Sequence, residues 1–237
     1  MKVEKLGGKA FSYIEFTLDP GQGVRTEPGA MASMDAGIDV MANMNGGFFT
    51  AILMFFFGKE SFFINTFKNL SQNPQKLVVS KCSPGEIVEH KLEGETLFLQ
   101  PGAFVAGSAG VKYKLSWAGI SSWLAREGLF RIRCYGTGTV WYGAYGAVVE
   151  REIDGEYIVD SGHLLSYGEE MSYTIKMSGG IFSSIFGGEG LVLKMQGKGT
   201  IRLQTRSVGG LAGWLNPRFT RSGGGKLSNL LDLFGSR

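Results

Sequence analysis

Apolar and polar residues alternate with period two along much of this chain. Val111, Tyr113, Leu115 and Trp117 alternate with Lys112, Lys114 and Ser116. Met171, Tyr173, Ile175 and Met177 alternate with Ser172, Thr174 and Lys176, and Ile201 and Leu203 with Arg202 and Gln204. That period marks strands with one buried face. Long helical periods are absent, and short strands between glycine turns predict an all-β sandwich or barrel.

The pattern recurs three times. Leu18-Asp-Pro-Gly-Gln, leading to Pro-Gly-Ala-Met31, has counterparts in Leu92-Glu-Gly-Glu to Phe104 and Ile153-Asp-Gly-Glu to Leu164. Gly21 to Gly94 is 73 residues and Gly94 to Gly155 is 61; the following strands, from Ile38 to Val111 to Met171, are offset by 73 and 60. Glu60, Glu127 and Glu189 open a third set of copies, the last two running into Gly136–Thr139 and Gly197–Thr200, which read as hairpin turns. Gly29, Gly102 and Gly162 hold equivalent turn positions where a side chain is poorly tolerated. The expectation is one compact domain over 1–217, built of three β-sandwich units at about 10–59, 60–126 and 127–207 and followed by a basic tail, 218–237. Packing the units around a pseudo-threefold axis leaves every edge strand paired.

Each unit also carries an apolar loop: Phe48–Phe57, Ile120–Leu124 and Ile181–Phe186, read as short apolar loop helices. Threefold packing gathers their large side chains at one end. These are Phe48, Phe49, Phe55, Phe56 and Phe57 of the first loop, Trp123 and Leu124 of the second, and Phe182, Ile185 and Phe186 of the third. A contiguous exposed apolar patch of that kind marks an interaction site, and the alternative is a plug folded into the core.

Composition narrows the class. Hydrophobic residues at 43% against 19% charged exclude disorder over most of the length. The net charge of +3 is uneven. Six basic residues and Asp232 give 202–237 a charge of +5, leaving −2 for the rest. A basic tail suits an anionic lipid surface, and a negative body argues against nucleic acid. Met1–Phe11 shows no apolar signal core, and the ten residues Phe48–Phe57 fall short of the ~20 a spanning helix needs. The expectation is a cytoplasmic chain, peripheral on the membrane, with Cys82 and Cys134 reduced.

Several motifs together resemble a known family. They are Glu27-Pro-Gly-Ala-Met31, Gly58-Lys-Glu-Ser-Phe-Phe-Ile-Asn65, Ser83-Pro-Gly-Glu86, Val159-Asp-Ser-Gly-His163, Gly188-Glu-Gly-Leu191 and the run Gly197 to Arg206. From about Phe11 to Pro217 the chain is similar to the family named after the yeast "altered inheritance of mitochondria" protein twenty-four. The resemblance implies three units with a fold like the tryptophan RNA-binding attenuator protein (TRAP). It implies no established activity, and its eukaryotic relatives are linked to mitochondrial inner-membrane organisation.

Catalytic chemistry finds little purchase. His90 and His163 are the two histidines and lack metal-ligand spacing with the cysteines. Asp160, Ser161 and His163 sit beside a turn, where a structural reading is favoured over a triad. Glu150/Glu152 and Asp154/Glu156 share a strand's solvent face, and Glu60, Glu127 and Glu189 read as strand starts. Gly197-Lys-Gly-Thr200 lacks phosphate-loop spacing. Arg131, Arg133, Tyr135, Trp141 and Tyr142 form the best cluster for single-stranded RNA. The function expected is non-enzymatic, with no cofactor or metal: an interaction or scaffold role at a membrane surface or in a homo-oligomer. RNA binding and an unrecognised enzyme are the alternatives.

Overall fold

The computed structural model describes residues 1–44, 63–100, 102–117, 130–177 and 191–219. These residues form an all-β protein with one short helix. Strands β11 (Val111–Trp117) and β15 (Met171–Met177) coincide with the two longest alternating runs. In β2 (Tyr13–Leu18) the same alternation places Ile14, Phe16 and Leu18 in the core.

One set of pairings occurs three times. β5 (Ile38–Met44) pairs with β6 (Phe63–Asn69) from Ile38↔Asn69, β11 with β12 (Phe130–Gly143) from Val111↔Gly136, and β15 with β16 (Leu191–Gln204) from Met171↔Gly197. A bulge recurs as well. It falls between Met31 and Ser33 where β4 (Met31–Met34) meets β7 (Gln75–Ser80). It falls between Phe104 and Ala106 where β10 (Phe104–Ser108) meets β12, and between Leu164 and Ser166 where β14 (Leu164–Gly168) meets β16. The residues facing the bulges step in the same order, so the offsets seen in sequence are register in the fold.

Two long strands organise this arrangement. The first half of β12 lies between β11 and β9 (Leu97–Leu99), and its second half lies between β8 (Ile87–Glu93) and β10. β16 does the same. Its first half pairs with β15 and the end of β13 (Val148–Asp160), and its second half pairs with the start of β13 and with β14. The change of partners falls at Gly136 and Gly138 in β12 and at Gly197 and Gly199 in β16, all at positive φ. The expected hairpin turns at Gly136–Thr139 and Gly197–Thr200 are therefore corrected. The strand does not reverse there; glycine lets it bend and enter a second sheet. In the first stretch the same point is Asn69, and the chain is broken into β6 and β7. Buried Asn69 donates from its amide to the carbonyls of Leu18 and Asn73, both at 2.8 Å, and holds the intervening loop.

Successive stretches join edge to edge. β10 pairs with β3 (Gly23–Thr26) through Ala106↔Thr26 and Gly107↔Arg25. β14 pairs with β9 through Ser166↔Leu99 and Tyr167↔Phe98, the equivalent positions. These seams generate two composite sheets, β8-β12-β10-β3-β6-β5 and β13-β16-β14-β9-β12-β11. At one end remains β1 (Lys2–Leu6) with β2, β7 and β4 as a separate sheet. At the other, among the described residues, the end of β13 pairs with β16 alone. The sheets are not closed, so where pairing around a threefold axis was expected, β4 and the end of β13 have no seam partner among the described residues.

The landmark glycines Gly21, Gly94 and Gly155 all have positive φ. Of the three turn positions, Gly29 and Gly102 take φ of +79° and +77°. Gly162 does not; a Cβ there would lie 3.0 Å from that of Ser207. Gly102→Ala is expected to lower stability by roughly 1 kcal/mol or more, because alanine must adopt the left-handed region. The shift of the denaturation midpoint measures it, and an unchanged midpoint contradicts the assignment.

Candidate interaction surface

The second seam is filled by aromatic side chains. Phe98 of β9 and Tyr167 of β14 stack with ring centroids 5.2 Å apart and planes at 17°. The Arg131 guanidinium lies over them and over Tyr173, 4.6 Å from the Tyr173 centroid, and donates to the Tyr167 hydroxyl. Such a half-buried cation over three rings ties β12, β9, β14 and β15 together. The first seam is filled differently: Arg25 reaches across it to donate to the Val111 carbonyl at 3.0 Å.

These contacts decide the fate of the RNA cluster. Trp141 and Tyr142 are buried, Trp141 packing edge-on against Phe16 at 5.0 Å, so neither offers a face to a base. Arg131 is engaged in the seam, and Arg133 lies over Tyr135 at 5.4 Å. The five residues share β12 but not one binding surface.

The remaining polar candidates are also tied into the scaffold. His163 donates from Nδ1 to the Gln204 carbonyl at 2.7 Å, and Asp160 accepts from the Gly162 amide at 2.9 Å. That geometry serves a strand start, with no relay from Asp160 to His163. His90 lies 3.6 Å from Glu95, and burial holds its imidazole below its usual pKa despite that carboxylate. The acids of β13 pair across to β16: Glu150 with Arg202 at 2.6 Å, Glu152 with Thr200 at 3.0 Å, Asp154 with Lys198 at 2.9 Å, and Glu156 with Lys194. Among the described residues no group of three or more metal-ligating side chains comes together.

The apolar patch expected at Phe48, Phe49, Phe55, Phe56, Phe57, Trp123, Leu124, Phe182, Ile185 and Phe186 lies outside the described residues, as do Glu60, Glu127 and Glu189. The strands flanking each segment form the three equivalent hairpins.

Two exposed apolar features were missed in the sequence. The first is helix α1 (Val208–Leu215), capped by the Ser207 hydroxyl, which accepts from the Gly210 amide at 3.1 Å. No residue of α1 is buried; Val208, Leu211 and Trp214 are exposed, as is Phe219 just beyond. Arg218 covers the Trp214 ring at 4.1 Å. Ser207 followed by an apolar spacing of three was the available signal, masked by Gly209, Gly210 and Gly213. The second feature is β4, whose four residues are all exposed. Beside it runs a groove lined by Phe11, Tyr13, Ala32, Val78, Lys81 and Cys82, where burial lowers the Lys81 pKa.

The family described as mitochondrial biogenesis AIM24 matches residues 3–206. The chain belongs to the AIM24 family. It is 28% identical over 214 residues to an uncharacterised protein of Streptococcus pyogenes serotype M6, the match covering 86% of each chain. A crystal structure of a Streptococcus pyogenes protein is similar to it with a TM-score of 0.76 at 26% identity, covering 92% of this AIM24-family chain and 99% of that one.

Two measurements test the burial described here. Cys134 is buried and its thiol is pushed up to about 12, whereas Cys82 is exposed. One thiol per native chain should react with an aromatic disulfide reagent, and the second only after unfolding; two fast thiols contradict the packing. Burial also raises the pKa of Tyr113, Tyr142 and Tyr167. The folded chain then keeps these protons where the unfolded chain has lost them, so stability is full below about pH 10 and falls as pH rises beyond it. Thermal melts across the alkaline range should show that fall, and a flat profile contradicts it.

Proposed function

We infer that this AIM24-family chain is a non-enzymatic interaction protein that attaches peripherally to an anionic membrane surface from the cytoplasm and serves there as a scaffold. The recurring registers support reading the body as three related β-sandwich units of the TRAP-like kind. The observation that carries the functional reading is α1. It exposes Val208, Leu211 and Trp214 immediately before a stretch whose sequence adds Arg218, Arg221, Lys226 and Arg237 against one acid.

An apolar helix face with a tryptophan, flanked by arginine and lysine, suits the boundary between headgroups and acyl chains. Each large apolar side chain transferred there contributes up to roughly 1.5–3 kcal/mol. Each basic residue near anionic lipid adds about 1 kcal/mol, weakened by salt. The apolar sequences at 48–57, 120–124 and 181–186 join equivalent hairpins, which supports reading them as further contacts to the same surface. Among the described residues no helix is long and apolar enough to cross a membrane.

Co-sedimentation of the full chain with phosphatidylserine-containing and neutral vesicles tests the reading. Binding is expected with the anionic vesicles and should weaken with added salt. Replacing Leu211 and Trp214 together with serine should reduce it, as should serine at Phe55, Phe56 and Phe57. A full chain that stays in the supernatant with both vesicle types overturns the proposal.

A further inference from the structure

We propose that copies of this chain assemble head to tail, β4 of one copy pairing antiparallel with residues 157–160 of the next. The inference goes beyond the membrane reading and does not depend on it. It rests on the two seams inside the chain. Each joins the bulged strand of one stretch, β10 or β14, to the short strand of the stretch before it, β3 or β9, in the same register. Among the described residues the bulged strand with no such partner is β4 of the first stretch. The short strand with none among those residues is the end of β13 in the third. A chain with three stretches and two seams keeps one copy of each half-seam, and the two halves are complementary.

Carrying the register over gives Ser33↔Val159 and Met34↔Ile158. It also predicts one backbone bond. Glu27 donates its amide to the Val105 carbonyl at 3.0 Å across the first seam, and Gln100 does so to Leu165 at 3.0 Å across the second. The equivalent bond runs from the Asp160 amide to the Ala32 carbonyl of the next copy. Pairing would turn two partial sheets, β1-β2-β7-β4 and the β13 end with β16 and β15, into one composite sheet like the two that the chain already contains.

The side chains at the open edges fit a seam. β10 and β14 are buried over their first four residues, whereas β4 is exposed throughout. Met31 and Met34 are 41% and 37% exposed, while Phe104 and Tyr167 at the equivalent positions are 1% and 3%. Ile158, which takes the place of Phe98, is 56% exposed. These positions stay apolar at the open ends, without the lysine or proline that protects a solvent-facing edge. A second copy is the occupant because it brings the other half-seam in matching register. One head and one tail per copy make the contact heterologous, so it continues into rings or filaments instead of stopping at a twofold dimer.

The test uses the full chain, with light scattering after size exclusion and native mass spectrometry over a concentration series. Assemblies larger than the monomer, growing with concentration, are expected. The variants are Met34→Pro and Ile158→Pro, one at each edge. Asp35 donates its amide to Lys76 on the β7 side, so by alternation the Met34 amide faces outward; the seam equivalents place the Ile158 amide outward too. Proline at such an edge removes an outward donor and leaves the inner ladder intact. Each variant alone should be monomeric. Mixed in equal amounts they should form a dimer and nothing larger, because each keeps the half-seam the other has lost. Met34→Lys and Ile158→Lys, mixed in the same way, serve if a proline variant fails to fold. A monomeric wild-type chain overturns the proposal, as it would if residues of the same chain cover an edge. So do single variants that assemble like the wild type, or a mixture that forms no dimer.

Discussion

A backbone strand has two hydrogen-bonding edges, and everything in this molecule follows from how those edges are satisfied. A buried amide or carbonyl left without a partner costs roughly 1–3 kcal/mol, about what burying one large apolar side chain contributes. The chain meets that requirement with strands that serve two sheets each. β12 and β16 are paired along their whole length and have neighbours on both sides within each half, yet the neighbours differ between the halves. A strand can do this only if it bends without leaving the extended state, and Gly136, Gly138, Gly197 and Gly199 supply the bend. Because the halves diverge, each stretch is two layers thick, and the lower layer of one stretch runs on into the upper layer of the next. The core follows the same logic. Phe16, Leu77 and Val79 from the first stretch share one buried cluster with Val105 and Trp141 from the second.

Much of this was legible in the sequence, and the limits are physical. The offsets between Ile38, Val111 and Met171 were visible because register constrains side chains through alternation, and alternation survives in the sequence. The bending glycines were visible too but misread. A Gly-x-Gly-Thr run satisfies every local criterion for a turn, and only the partners on either side, far away in sequence, distinguish a reversal from a bend. The first stretch hid the correspondence further by using Asn69 and a loop where the others use glycine. The open sheets among the described residues have a related reason. Sequence repeats specify the seam, but the rotation between units depends on the packing of side chains across it. The patch at Phe48–Phe57 and its counterparts stood out because apolar runs are conspicuous, whereas β4, with only Met31 and Met34 as large apolar residues, did not.

Charge in this molecule is spent on cross-strand pairing. Glu150, Glu152, Asp154 and Glu156 form a line along β13 that resembles a catalytic or cation-binding row in sequence. In the fold Glu150, Glu152 and Asp154 face Arg202, Thr200 and Lys198 on β16, and Glu156 faces Gln196 and reaches diagonally to Lys194. Exposed pairs of this kind contribute at most about 1 kcal/mol each, so their role is to discourage a slipped register more than to add stability. A one-residue slip would move every one of them to the opposite face. The acidic row is the solvent-side expression of the constraint that fixes the core.

The seams share a register but not a chemistry, and that difference matters for order. At the position facing across the seam, the first has Arg25 against Gly107, with the arginine reaching on to Val111. The second has Phe98 against Tyr167 beneath Arg131. Exchanging partners would set Phe98 against Gly107, losing the stack, or Arg25 against Tyr167, where Arg131 already stands. Identical backbone geometry alone would let any bulged strand join any short strand, which invites misassembly in a protein made of repeats. Different side chains at one register position make the correct neighbour the favoured one, a form of specificity by mismatch. Met34 and Ile158 carry a third chemistry, apolar and without a ring or charge, at the same position of the two open half-seams. Neither matches the polar and aromatic fillers of the inner seams, so the open ends are distinguished from the strands they most resemble.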